Sequence, residues 1–164
     1  MYVVNALRRA AQTSADRIAS VHQGRSWTWA QVQDRVARLA AVLRARGVGP
    51  GDRVALLGWN SDRYLESVLA VAWAGAVIVP LNTRLAPPEI AYQVRHAGAK
   101  LIIYDAGFSG VVSHAADGNP SLLFISIGGE DATCGAPDYD SLIAAASPVD
   151  EAGSQPGDLQ GIFY

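Results

Sequence analysis

One cysteine, one lysine and three histidines among 164 residues narrow the chemistry before any motif is sought. Cys134 has no second thiol to bridge, which points to a reducing compartment and a cytoplasmic protein. It stands among Gly, Thr, Ala and Pro without C-x-x-C spacing, and reads as a loop thiol rather than a nucleophile with a positioned base. Lys100 falls at the amino end of a predicted strand, the wrong end for chemistry in a parallel sheet. No apolar run approaches the roughly 20 residues of a membrane span. The apolar run in Met1–Ala11 is too short for a signal peptide, and Arg8-Arg9 lie on the wrong side of it. An excess of one charge is missing as well: 13 Lys+Arg stand against 15 Asp+Glu, a net charge of -2, with nothing like a footprint for a nucleic-acid backbone. What the chain does have is 50% hydrophobic residues with only 17% charged, the make-up of a well-buried globular domain.

The pattern of apolar residues predicts an α/β fold, a mostly parallel sheet of four or five strands with flanking helices. Val4, Leu7 and Ala11 predict a short helix over Val3–Gln12. Alternation across Arg17–Trp29 around Gly24 predicts a hairpin, with His22 on the strand surface. Thr28-Trp29-Ala30-Gln31 is a capping box that opens a helix to about Arg46, with Val32, Val36, Leu39 and Leu43 as its buried stripe. Arg35, Arg38, Arg44 and Arg46 are expected on its solvated faces. Gly47-Val48-Gly49-Pro50-Gly51-Asp52 superficially suggests a dinucleotide fingerprint. It follows a helix and precedes a strand, the reverse of the order that motif needs, so it reads as a helix stop and turn. A strand over Arg53–Gly58 leads to a helix capped by Asn60 or Ser61, with Leu65, Val68, Leu69 and Ala72 as its inner stripe. Anion binding at Asn60-Ser61 is conceivable, and simple capping suffices.

The chain is organised around Ala74–Leu85. Gly75 suits a left-handed helix end, Val77-Ile78-Val79 reads as a strand covered on both faces, and Pro80 stops it. Asn82-Thr83-Arg84 then sits at the carboxyl end of a parallel strand, where open α/β sheets bind ligands. Pro87-Pro88-Glu89 starts the next helix, with Ile90, Val94 and Ala97 buried and His96 near its C-terminus in a structural role. Lys100–Asp105 and Leu122–Ile127 are further strands, with a weak helix over Gly107–Ala116 and a short one over Tyr139–Ala146. Asp117, Glu130, Asp131, Asp138 and Asp140 lack regular metal-ligand spacing and read as solvated loop acids. The expected organisation is hairpin and helices over 1–52, a βαβ sheet over 53–127, a loop-rich linker over 128–158, and the start of a buried strand over 159–164. A chain halting in an apolar strand looks cut.

Taken together, these motifs resemble the adenylate-forming enzymes, the superfamily of acyl-CoA synthetases, luciferases and peptide-synthetase adenylation domains. The resemblance runs through Trp27–Val32, Gly49–Ala55, Asn60-Ser61, Leu69-Ala70, Ala74–Val77, Pro80–Leu85, Asp158-Leu159 and Gly161–Tyr164. The Pro-Leu-Asn-x-Arg-Leu form is similar to the fatty-acyl- and aryl-CoA ligase branch. It implies a parent enzyme that uses ATP, Mg and coenzyme A to convert a carboxylic acid through an acyl-adenylate into a thioester. It also implies that this piece, without the family's phosphate-gripping loop and C-terminal catalytic lysine, is inactive and binds no cofactor by itself. Arg84 matches the arginine that lies near a coenzyme A phosphate in aryl-CoA ligase relatives; no residue here matches a catalytic or metal-binding position. An apolar face left uncovered favours a homodimer. The alternative reading is a non-catalytic α/β binding or dimerisation module with the same fold.

Overall fold

The computed structural model describes residues 3–153 and 158–164. The readings made for Met1, and for residues 154–157 of the expected linker, lie outside the described residues. In chain order the elements are α1 (Val3–Thr13), β1 (Ile18–His22), β2 (Arg25–Thr28), α2 (Trp29–Ala45), β3 (Arg53–Leu57), α3 (Asp62–Trp73), β4 (Val77–Pro80), α4 (Pro87–Ala97), β5 (Ala99–Asp105), α5 (Ser109–Ala116), β6 (Leu123–Ile127) and α6 (Tyr139–Ala145). A 3-10 turn, Ala106–Phe108, joins β5 to α5.

Local signals set most of these boundaries. The Thr28 hydroxyl accepts the Gln31 N–H at 3.3 Å, and the Gln31 side chain accepts the Thr28 N–H at 2.8 Å, so α2 opens on the expected reciprocal cap. Ser61, not Asn60, caps α3 by accepting the Tyr64 N–H at 3.1 Å. Gly98 ends α4 at φ 63°, and a Cβ there would lie 2.8 Å from an Arg53 guanidinium nitrogen. The left-handed backbone is what favours glycine there.

β1 and β2 form a separate antiparallel hairpin, and β3–β6 form one parallel sheet in the order β4-β3-β5-β6. Helices cover both faces, as an all-parallel sheet demands. On one face, residues of α1, α2, α3 and α6 pack with Val54, Leu56, Leu101, Ile103 and Ile125; Val36, Leu39 and Leu43 are wholly buried there. On the other, α4 and α5 pack with Ala55, Leu57, Ile102 and Tyr104.

β3 and β5 stand in the middle of the sheet, and β4 carries the bridging segment Gln160–Ile162 on its outer side. Two expectations are corrected by this packing. That segment begins a parallel pairing through Ile78 but is not a buried strand, for Leu159, Phe163 and Tyr164 are exposed. The inner face of α3 is also rotated from the expected stripe. Leu65 is 43% exposed, whereas Asp62, Glu66, Leu69, Ala70 and Trp73 face inward. The reason is electrostatic: arginines on neighbouring elements meet the two carboxylates and allow them to be buried.

Residues 146–153 are irregular, yet they are strapped down. The Trp73 indole donates to the Val149 carbonyl at 2.9 Å, the Ala152 N–H donates to the Trp73 carbonyl at 3.0 Å, and Arg8 pairs with Glu151 at 3.2 Å.

Candidate functional site

The crossover from β3 runs through α3 on one face to β4, and that from β5 runs through α5 on the other face to β6. Strand order therefore reverses between β3 and β5, and the carboxyl ends of those two strands form the crevice of a sheet of this type. A cleft of about 480 Å³ opens there, lined among others by His22, Arg25, Trp59, Ser61, Asp105 and Gly128. Asp105, at the end of β5, accepts the Trp59 N–H at 2.7 Å and so ties the two strand ends together. Gly58 makes room for this, since a Cβ there would lie 2.8 Å from the Asp105 carboxylate. Trp59 is exposed at the mouth and tilts against Phe108 with ring centroids 5.4 Å apart. The half-buried His22 reaches this cleft from the hairpin, as a strand residue.

The cations near the crevice are already engaged. Arg25 makes a two-pronged bond to Asp62 at 3.1 and 3.2 Å, and the Trp27 indole donates to the same carboxylate at 3.1 Å. Arg63 joins Asp62 at 2.9 Å to Asp140 at 2.7 Å. Arg35 holds Glu66 at 2.7 and 3.0 Å and Asp140 at 2.8 Å, and its guanidinium lies 4.6 Å from the centre of the Trp27 ring. The buried Tyr139 hydroxyl completes the set by donating to Glu66 at 3.1 Å. Three arginines and three carboxylates thus staple the hairpin, α2, α3 and α6 to one another.

This overturns two expectations: Arg35 is not on a solvated face, and Asp140 is not a free loop acid. Their separation in sequence, 105 residues, hid the pairing. Burial raises the Asp62 and Asp140 carboxyls, but the arginines beside each outweigh it and hold both below the usual carboxylate range. Two of the other acids also have structural tasks. Asp138 caps α6 through the Ser141 N–H at 2.9 Å. Hydrogen bonds from Ser109 and the buried Tyr104 hold the Asp131 carboxyl down to about 2.

Arg84 stands at a second carboxyl end, that of β4. Leu81 and Leu85 anchor the corner in the apolar layer beneath α4 and α5, and Asn82-Thr83-Arg84 turn between them. The Arg84 side chain is exposed and makes no hydrogen bond or ion pair among the described residues. The start of α4 offers a ligand nothing in its place. Pro87 and Pro88 have no N–H, the Ala86 N–H is taken by Glu89 at 2.8 Å, and those of Glu89 and Ile90 bond the Ala86 carbonyl. The Arg84 guanidinium is therefore the cationic group that this corner presents to solvent.

The remaining sequence candidates lie away from both places. Lys100 is at the amino edge, where it bonds the Gly47 carbonyl and pairs with Asp52 at 3.1 Å. The loop from Gly47 to Asp52 is a helix stop, as its context predicted. His96 meets the Tyr164 hydroxyl through Nδ1 at 2.7 Å and stacks on Tyr92. Cys134 is a half-buried free thiol. Among the described residues, no group of three or more His, Cys, Asp or Glu is placed to hold a metal ion, and no helix is long and apolar enough to cross a membrane.

The sequence profile of AMP-binding enzymes matches residues 7–164. The chain belongs to the AMP-binding enzyme family. This AMP-binding chain is 44% identical over 124 residues to a feruloyl-CoA synthase from Amycolatopsis sp, a match covering 76% of this chain and 25% of that protein. It is 51% identical over 78 residues to a long-chain-fatty-acid–CoA ligase from Thermus thermophilus, covering 48% of this chain and 14% of the other. Its fold is similar to that of a benzoate CoA ligase from Burkholderia xenovorans LB400, with a TM-score of 0.88 and 26% identity over 98% of this chain and 32% of the other. The chain spans about a quarter of the length of the feruloyl-CoA synthase it matches. The family of this AMP-binding chain and its α/β fold are both those that Pro80–Leu85 and the associated motifs implied, and the relatives named are CoA ligases or synthases.

Proposed function

We propose that this chain is the N-terminal part of an AMP-forming acid–CoA ligase, which uses ATP to turn a fatty or aryl carboxylic acid into an acyl-adenylate and passes the acyl group to coenzyme A. The observation that carries the reading is the 44% identity over 124 residues to a feruloyl-CoA synthase. The residues described here supply scaffold rather than reacting groups. Their one lysine is tied to Asp52 at the amino edge of the sheet, away from the strand ends where a triphosphate would lie. The 164-residue chain is therefore expected to catalyse no ATP–pyrophosphate exchange by itself, and to form a homodimer through its exposed Leu65, Phe163 and Tyr164. Robust exchange overturns the first statement, and a strict monomer in light scattering at high concentration overturns the second.

Arg84 is the residue we assign to ligand binding, as the contact for a phosphate of coenzyme A. A guanidinium grips phosphate through paired charge-assisted hydrogen bonds, and this one has no competing partner among the described residues. In a full-length ligase carrying residues 1–164 as its N-terminal part, Arg84→Ala is expected to raise the KM for coenzyme A about tenfold, the size of one lost charged contact. ATP–pyrophosphate exchange, which precedes coenzyme A, should be unchanged. An unaltered KM for coenzyme A retires the assignment.

A further inference from the structure

The corner that carries Arg84 is held by two backbone hydrogen bonds and one side chain. The Leu81 N–H donates to the Leu56 carbonyl at 2.8 Å, which holds the last residue before the turn against β3. The Leu85 N–H donates to the Asn82 carbonyl at 3.1 Å, which closes a four-residue turn from Asn82 to Leu85. Inside that turn the Asn82 side-chain oxygen accepts the Arg84 N–H at 3.0 Å. Asn82 is thus bonded twice, through its side chain to the Arg84 N–H and through its backbone carbonyl to the Leu85 N–H. Pro80 ahead of the turn and Pro87 behind it restrict the flanking backbone. Leu81 and Leu85 seat both ends in the core while Asn82 and Arg84 face solvent.

We propose that Asn82 is a positioning residue, one that presents the Arg84 guanidinium to the coenzyme A phosphate by holding the Arg84 backbone N–H. The inference rests on the assignment of Arg84 above. The asparagine side chain replaces a backbone acceptor in this turn, a role that aspartate performs equally well and alanine cannot. Without it the turn retains only its outer hydrogen bond, and the arginine loses a fixed starting direction before it meets its ligand.

The test uses a full-length ligase carrying residues 1–164, with the KM for coenzyme A and the rate of ATP–pyrophosphate exchange measured for Asn82→Ala, Asn82→Asp, Arg84→Ala and the Asn82→Ala/Arg84→Ala double variant. Asn82→Ala is expected to raise the KM for coenzyme A about fivefold, the size of one lost hydrogen bond, and to leave exchange unchanged. Asn82→Asp is expected to stay near the parent, and the double variant to be no worse than Arg84→Ala alone, because Asn82 acts only through Arg84. If Arg84→Ala raises the KM and Asn82→Ala does not, the positioning role fails and the coenzyme A assignment survives. If Arg84→Ala leaves the KM unchanged, both fall. Should Asn82→Ala lose exchange through misfolding, Asn82→Asp decides: a KM near the parent's supports the role, and a fivefold rise overturns it.

Discussion

Glu66→Ala is expected to destabilise the chain by about 3 to 5 kcal/mol, the cost of leaving a buried charge without its partner. Glu66 is 1% exposed, yet it accepts two bonds from Arg35 and one from the Tyr139 hydroxyl. Its loss leaves Arg35 buried with Asp140 alone, on the half-exposed side of the cluster, and deprives Tyr139 of its closest acceptor. Urea unfolding followed by circular dichroism measures the change, and a loss below about 1 kcal/mol, the scale of a surface pair, would show that the cluster is not desolvated. A double Arg35→Met/Glu66→Met variant should lose less than Glu66→Ala, since the apolar pair leaves no charge behind. The same cluster sets the response to acid. Asp62 and Asp140 lie below their ordinary value of 3.8 in the folded chain. Their contribution is therefore complete above that value and is lost as the pH falls through the lower, folded-state values. Stability should be level near neutrality and drop only below about pH 4.

The second large effect separates the two faces of the helices. Leu43→Ala removes a wholly buried side chain from the layer shared by α1, α2 and α3, and is expected to cost about 3 kcal/mol in transfer and cavity terms. Leu65→Ala, one residue before Glu66, should cost about 0.5 kcal/mol or less, because Leu65 lies on the outer side of α3. The periodicity of the sequence assigns both leucines to buried stripes, so equal losses in the two variants would contradict the packing of α3. Unfolding midpoints at constant denaturant slope provide the comparison.

Hydrophobic spacing and burial disagree on the inner face of α3. The pattern Leu65, Val68, Leu69, Ala72 satisfies helical spacing, and so does Asp62, Glu66, Leu69, Ala70, Trp73; hydrophobicity alone prefers the first. The second is buried because Arg25, Arg35 and Arg63 converge on its carboxylates from three elements. Arg35 is 31 residues from Glu66 and 105 from Asp140, so no local spacing shows the match. A sequence signal existed only in the excess of acids at helix-start positions, Asp62 and Asp140, each next to an arginine or an aromatic residue. The same limit hid the role of Asp105, whose contact with Trp59 depends on β5 lying beside β3.

What the chain order did determine by itself was whatever depends on neighbours a few residues apart. The Thr28–Gln31 cap, the turn at Gly24, the helix stop at Gly98 and the polar corner after Pro80 each arise from interactions within about four residues. The motifs from Trp27–Val32 to Gly161–Tyr164, taken together, also pointed to the family, because they are read as strings and need no fold. Tertiary structure alone decided which strands stand in the middle of the sheet, which face of α3 turns inward, and which arginines meet its buried carboxylates. Those outcomes hang on strand pairing and on charges meeting across long loops, where the energy of a contact depends on burial that no single segment creates.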